Sequence, residues 1–307
     1  MNRFTVAAYY KGIPPQNRNI EKQLILDNFL LGVRTVGDIA VAHQQFNPIA
    51  CDVALIQGYV HSHGKDAPHL RLRQAAIDLQ HQNKKRALIV DSSLFLYVDK
   101  TNPHHYLRYS FDGVFPTTGF YFDKDIDPDR WKKISLNLKI NVKPYRTQGE
   151  HVLICLQRNG GWSMTGLNVI DWLDATIKKI QQFSNRPIIV RPHPGDKKIM
   201  SILKIKYKNV SLSNNLNLIE DLRNAWATVV YNSSPSVASI IEGVPSFVTD
   251  PEPKHSQSCA VANTELHHIE NPILPERQHW LERLAMCHWN FVELKSGEAW
   301  NFLRKYI

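Results

Sequence analysis

The sequence predicts an α/β protein of two domains, each built on a parallel sheet covered by helices. Three observations lead there. Apolar runs of strand length recur without polar alternation, which is how strands covered on both faces read. Stretches of helical period and length separate them, the spacing of strand–helix–strand crossovers. The chain has 307 residues, and at roughly 100–200 residues per domain that is room for two cores.

Taken in order, Cys51 to Gln57 (CDVALIQ) is an apolar run closed by Gly58 and reads as a buried strand. The loop GYVHSHGKDAP follows, and His69 to Asn83 carries Leu70, Leu72, Ala75, Ala76 and Leu79 at helical spacing. Arg86 to Asp91 (RALIVD) is the next buried strand and runs out into Ser92-Ser93. The second half repeats the pattern. His151 to Leu156 is a strand followed by the loop QRNGGWSM, and Leu167 to Phe183 is helical through Val169, Ile170, Leu173, Ile177 and Ile180. Pro187 to Arg191 is a strand that stops at HPGD, Asn209 to Leu212 a weak strand, and Leu218 to Ala225 a short helix. Ala227 to Tyr231 is a strand stopping at Asn232-Ser233-Ser234. Pro235 to Glu242 begins a helix with proline in its tolerated first turn. Gly243 ends that helix, Pro245 to Thr249 is the next strand, and Ser296 to Ile307 reads as a terminal helix. The polar stretch Lys143–Glu150 marks the boundary, giving domains 1–147 and 148–295 of similar size side by side with a cleft between them.

Composition narrows the function classes. Hydrophobic residues at 43% and charged residues at 21% exclude a disordered chain. No apolar run approaches the ~20 residues of a membrane span, and the N-terminal MNRFTVAAYYKGIPPQ has no signal-peptide core, so a cytoplasmic location is expected. Cys51, Cys155, Cys259 and Cys287 lie far apart with no CxxC, which argues against a disulfide framework or structural zinc. Thirty-seven basic against 28 acidic residues leave a formal charge of +9, which favours an anionic partner: nucleic acid, a nucleotide or an acidic glycan. No GxxxxGK[ST], GxSxG or HExxH occurs.

Ligands of open parallel sheets sit beyond the carboxyl ends of the strands, and the polar signatures fall there. Arg191-Pro192-His193-Pro194-Gly195-Asp196 and Asn232-Ser233-Ser234 close neighbouring strands of the second half. Ser233 and Ser234 precede a helix start, where free N–H groups attract phosphate, and His193 sits between two prolines as a donor to a diphosphate. Gly160-Gly161 permit close backbone approach, with Arg158 a phosphate partner and Asn159 beside them. In the first half, Asp112-Gly113 offers a carboxylate as general base, and Asp91 at its own strand end is a rival. His61, His63 and Lys65 form a basic loop suited to a polyanionic acceptor. Asp123, Asp125 and Asp127 read as a solvated acidic turn, so no metal site is assigned.

The trio RPHPGD, YNSSPSVASIIEGVP and the earlier Asp112-Gly113 resembles nucleotide-sugar glycosyltransferases of the GT-B architecture, two Rossmann-like domains facing across a cleft. The closest patterns are those of bacterial sialyltransferases and capsular Kdo transferases, with a His-Pro and a Ser-Ser motif on the donor side and an acidic-Gly motif on the acceptor side. The resemblance covers mainly residues 151–250, and Phe111 stands where the family's motif has a second acid. It implies that His193 contacts donor phosphate, with a general-acid role open to it, that Ser233 and Ser234 bind phosphate, that Glu242 binds the nucleoside, and that Asp112 is the base. It also implies a C-terminal helix, 296–307, crossing back to the first domain. More loosely, the whole chain, including QRNGGWSM and SGEAWNFLRKYI, resembles glycosyltransferase-like proteins of tailed phages, a group with relatives that glycosylate hydroxymethylated pyrimidines in DNA.

The expectation is therefore a glycosyltransferase. Domain 148–295 would bind the nucleotide sugar through Arg158, Asn159, Gly160, Gly161, Arg191, His193, Asn232, Ser233, Ser234 and Glu242. Domain 1–147 would bind the acceptor through His61, His63, Lys65 and Asp91, with Asp112 and His193 catalytic. No cofactor is required beyond the co-substrate, and a divalent metal is not implied. The preferred acceptor is a hydroxymethylated base in phage DNA, in the host cytoplasm. The alternatives are a capsular or lipid-linked glycan transferase, a nucleotide-sugar epimerase, and a non-catalytic nucleic-acid-binding protein on the same scaffold.

Overall fold

The computed structural model describes residues 3–14, 20–60, 67–95, 105–164, 166–196 and 198–307. The chain divides into two units, Met1–Leu138 with Glu282–Ile307, and Lys139–Leu281.

Unit 1 begins with β1 (Thr5–Tyr9), α1 (Ile20–Thr35), β2 (Ile39–His43), β3 (Val53–Gln57), α2 (Pro68–Gln82), β4 (Arg86–Asp91), β5 (Tyr106–Phe111) and α3 (Pro128–Leu138). β1 lies between β2 and β3 and is parallel to both, and β3 pairs in parallel with β4. The central strands are apolar along their length because helices cover both faces: Val53 to Ile56 and Ala87 to Val90 are all buried. β2, at the edge, is less covered, and only His43 of its five residues is buried. β1 and β5 were not legible as strands from the sequence. β5 departs from the parallel pattern: it runs antiparallel to β4, pairing Leu88 with Phe111 and Asp91 with Arg108.

Unit 2 contains β6 (His151–Cys155), α4 (Val169–Gln181), β7 (Ile188–Arg191), α5 (Ile199–Ile202), β8 (Val210–Leu212), α6 (Leu218–Leu222), β9 (Ala225–Val230), α7 (Pro235–Ile241) and β10 (Ser246–Val248). Its five strands are all parallel, in the order β10-β9-β6-β7-β8. α4 shows why the sequence folds this way. Asn168 caps it by accepting from Ile170 N at 2.8 Å. Val169, Trp172, Leu173, Thr176, Ile177 and Ile180 share one face and are buried. Each large aliphatic on that face contributes about 1.5–3 kcal/mol by leaving water.

The chain leaves unit 2 through α8 (Gln278–Ala285) and then forms β11 (His288–Asn290), α9 (Phe291–Lys295) and α10 (Glu298–Leu303). β11 pairs antiparallel with β5 and completes the unit 1 sheet, in the order β11-β5-β4-β3-β1-β2. Three devices hold this return. Arg130 meets the buried Glu293 through two nitrogens, at 2.6 and 2.8 Å. Trp300 Nε1 donates to Asp38 at 2.7 Å. Gly32 of α1 lies so close to α9 that a Cβ there would stand 2.0 Å from Leu294 O. The division thus falls at 138/139 and 281/282, where the sequence suggests 147/148 and 295/296. The return starts earlier because His288–Asn290 is a strand of the first sheet, too short to show a period. No helix among the described residues is long and apolar enough to cross a membrane.

Candidate functional site

In unit 2, β6 has β7 on one side and β9 on the other. The chain passes from β6 to β7 on one side and from β9 to β10 on the other, so the loops after β6 and β9 part at the carboxyl edge and open the crevice that α/β sheets use for ligands. Those loops are Gln157–Ser163 and Tyr231–Ser234. Gly160 takes φ +68°, a left-handed turn that glycine adopts without strain. Asn159 is committed to framing this turn: its N–H donates to Asp196 Oδ2 at 2.9 Å and its Oδ1 accepts from Val169 N at 3.3 Å.

His193 follows β7, next to the glycine turn. Its Nδ1 accepts from Gly195 N at 2.9 Å, which leaves the proton of the neutral ring on Nε2. Burial, and then the neighbouring Arg158 guanidinium, hold the imidazole below its usual range, while Asp196 acts the other way. Arg158 leans over Gly195, where a Cβ would lie 2.5 Å from its Nη2. His193 is therefore a neutral ring presenting one N–H, with a guanidinium beside it.

On the other side of β6, Ser233 Oγ is buried and has no hydrogen-bond partner among the described residues. Ser234 occupies the cap position of α7, and its side chain makes no capping bond. The start of α7 differs from the sequence expectation. Pro235 has no N–H, and those of Ser236 and Val237 already bond to Ser233 O and Ser234 O at 3.3 and 2.9 Å. What these serines offer is hydroxyls, not a free helix terminus. Asn232 is likewise a frame residue. Its amide donates to Ser163 O at 2.9 Å and to Asp250 Oδ2 at 2.6 Å, while its backbone N–H donates to Gln157 Oε1 at 2.9 Å. Asp250, buried just beyond β10, went unread in the sequence, although it too is a polar residue ending an apolar strand.

Two further donor-side candidates are engaged elsewhere. Arg191 turns away from the crevice: its guanidinium bonds Asp221, Asn215 O at 3.0 Å and Leu216 O at 2.9 Å. Glu242 stands at the far end of α7, which carries the chain from the carboxyl edge back to the amino edge. It is 5% exposed and bonds Lys143. Gly243 beside it takes φ +75°, and a Cβ there would sit 2.1 Å from Pro144 O. Glu242 and Gly243 thus secure the entry to β6, a strand length away from His193.

Unit 1 separates the two base candidates. Because β5 is antiparallel, Asp112 at its end lies at the amino edge of β4. There it accepts from Ala87 N at 3.0 Å and Arg86 Nη1 at 3.3 Å, with φ +63°. This removes Asp112 from the ligand edge. Asp91 ends β4 at the carboxyl edge, where it accepts from Ser92 N at 2.7 Å and Arg108 Nη2 at 2.9 Å. His61, His63 and Lys65 lie outside the described residues. Asp123 pairs with Arg283, and Asp125 accepts from Tyr306 at 2.6 Å. Among the described residues no three His, Cys, Asp or Glu side chains gather as metal ligands.

No protein-family model and no curated protein matches the chain. Solved structures do. The β-Kdo 2,4-transferase of Thermosulfurimonas dismutans KpsC is similar at 14% identity, over 94% of this chain and 91% of that one, with a TM-score of 0.57. The β-Kdo 2,7-transferase of the same organism's KpsC is similar at 11% identity, over 99% of this chain and 100% of that one, with a TM-score of 0.54. At these identities the likeness is one of fold: two Rossmann-like domains of the GT-B kind.

Proposed function

We propose that unit 2 binds a nucleotide-activated sugar at the carboxyl edge of its sheet, and that the protein transfers this sugar to an acceptor hydroxyl. The observation that carries the reading is the unsatisfied, buried hydroxyl of Ser233 at the switch point. A buried donor left without a partner costs about 1–3 kcal/mol, and a phosphate oxygen would restore it. Ser234, the His193 Nε2–H, Arg158 and the Gly160–Gly161 turn belong to the same edge and supply further donors, cationic charge and close backbone approach.

In this reading the anomeric C–O bond to the donor phosphate breaks as the acceptor oxygen attacks. Negative charge grows on the departing phosphate, where His193 and Arg158 offset it most strongly. A neutral imidazole acts as a hydrogen-bond donor there, not as a proton source. Asp91, the carboxylate at the ligand edge of unit 1, takes the acceptor proton in place of Asp112.

Two acceptor classes remain. A glycan follows the two Kdo transferases that share the fold, and a hydroxymethylated base in DNA follows the +9 charge. That charge is not gathered on one unit: unit 1 has 21 basic against 16 acidic residues and unit 2 has 16 against 12. Neither unit is the strongly basic body that would grip a duplex by itself. The test is to incubate the protein with a panel of nucleotide sugars, with oligosaccharide or hydroxymethylated DNA as acceptor, and read product mass. Thermal stabilisation by each donor is measured in parallel. A product with one acceptor class, and donor stabilisation lost in Ser233→Ala, is the expected result. Absence of both for every donor overturns the proposal, and salt-sensitive DNA binding without turnover would leave a binding protein in its place.

A further inference from the structure

The unit 1 sheet has its own switch point, between β1 and β3, and a buried cation stands in it. Arg73, in the second turn of α2, is 6% exposed. Its Nε donates to Gly12 O at 2.7 Å, in the turn after β1. Its terminal nitrogens lie against Gly58, in the turn after β3, where a Cβ would stand 2.8 Å from Nη1. Gly58 takes φ +82°, so both the conformation and the space favour glycine. Neither Nη1 nor Nη2 has a hydrogen bond or ion pair among the described residues.

A guanidinium that gives up its hydration without an ion pair is costly. Its surroundings register this: burial pushes Arg73 down to about 10, and Asp91 is the one charge that opposes the shift. Asp91 has a partner of its own. Its Oδ2 already accepts from Arg108, which is 4% exposed and has Nε and Nη1 without partners among the described residues. Arg108 alone is bonded to Asp91, so the buried Arg73 guanidinium has no carboxylate of its own within ion-pair distance among the described residues. The two open terminal nitrogens of Arg73 form the planar fork that matches a carboxylate. A nucleic-acid backbone is held differently, by a spread of exposed cations along its phosphates.

We infer that Arg73 is a specificity-determining residue that receives a carboxylate carried by the acceptor, at the β1–β3 switch point of unit 1. This rests on the transferase reading for the word acceptor, whereas the anion site itself does not. The assignment narrows the acceptor to a molecule with an acidic group near the reacting hydroxyl, such as a sugar acid.

The Nε–H of Arg73, held on Gly12, provides a residue-specific probe. The full-length protein is titrated with sodium acetate, sodium phosphate and sodium chloride at matched ionic strength, and the arginine Nε–H resonances are followed by NMR. The Arg73 resonance is expected to shift saturably with acetate, more weakly with phosphate and not with chloride, in wild type and in His193→Ala alike. No acetate response overturns the inference, and a response to phosphate alone overturns the carboxylate assignment in favour of a phosphate-bearing ligand. Arg73→Gln keeps an N–H for Gly12 O and removes the charge. It should raise the acceptor KM at least about 10- to 100-fold, the cost of even one of the fork's two charge-assisted hydrogen bonds, with donor-induced stabilisation unchanged. Loss of donor stabilisation in wild type would sink the transferase reading and leave the NMR result standing.

Discussion

The role of His193 can be separated into two chemistries by a pair of substitutions. Its Nδ1 is occupied by Gly195 N–H at 2.9 Å, so Nε2 presents the only ring proton. The ring is held below its usual pKa, first by burial and then by Arg158, and is neutral in the free protein at pH 7. His193→Ala removes one hydrogen-bond donor from a phosphate whose charge grows in the transition state. Removal of such a donor costs about 10²–10³ in kcat, about 2.7–4 kcal/mol. Arg158 stays in place and keeps the loss finite. His193→Gln carries an amide N–H to nearly the position of Nε2, so it should recover most of that loss. The pH profile has a definite sign. A folded pKa below the reference means that the neutral ring is complete above pH 6.5 and is lost as pH falls through the lowered value, when a proton on Nδ1 opposes Gly195 N–H. Initial-rate kinetics from pH 5.5 to 8.5 on the three proteins would decide. If His193→Gln is as inactive as His193→Ala, and wild-type kcat/KM falls with rising pH on a His193-dependent limb, the histidine is a general acid and the reasoning is wrong.

The remaining expectations concern the frame. Asp91→Asn should abolish transfer while preserving donor-induced stabilisation, and Asp112→Asn should leave turnover near wild type at a stability cost of about 1 kcal/mol; steady-state rates on both variants check this, and the reverse pattern restores Asp112 as base. Asp250→Ala leaves the buried Asn232 amide short of an acceptor and should cost about 1–3 kcal/mol, with weaker nucleotide binding because Asn232 ties the β6 and β9 loops together; urea unfolding and calorimetric titration measure the two effects. Glu293→Ala strands the buried Arg130 and should cost about 3–5 kcal/mol, seen as a lower midpoint in urea with the slope unchanged.

Several features were readable without coordinates. Strands with apolar interiors, such as Arg86–Asp91 and Ile188–Arg191, lie within one residue of where the sequence sets them, because the interior of a strand covered on both faces has no polar positions. Pro235 and Gly243 likewise delimit α7, since one removes an N–H and the other tolerates φ +75°. For the same reason, the polar residues that end those runs sort correctly onto the strand-end loops of unit 2. What a sequence pattern lacks is direction and commitment. Asp112 and Asp91 look alike as acids closing apolar stretches, yet one antiparallel pairing, Asp91 with Arg108, puts them at opposite edges of the sheet. Arg191, Asn232 and Glu242 look available but are consumed by Asp221, Asp250 and Lys143, contacts 30, 18 and 99 residues away in the chain. Arg73 gains its interest only once Gly12 and Gly58 close around it, 61 and 15 positions distant. Local pattern determines where strands and helices form, because burial and backbone chemistry act over a few residues. Which charges are already paired is decided by long-range packing, and only the tertiary structure carries that.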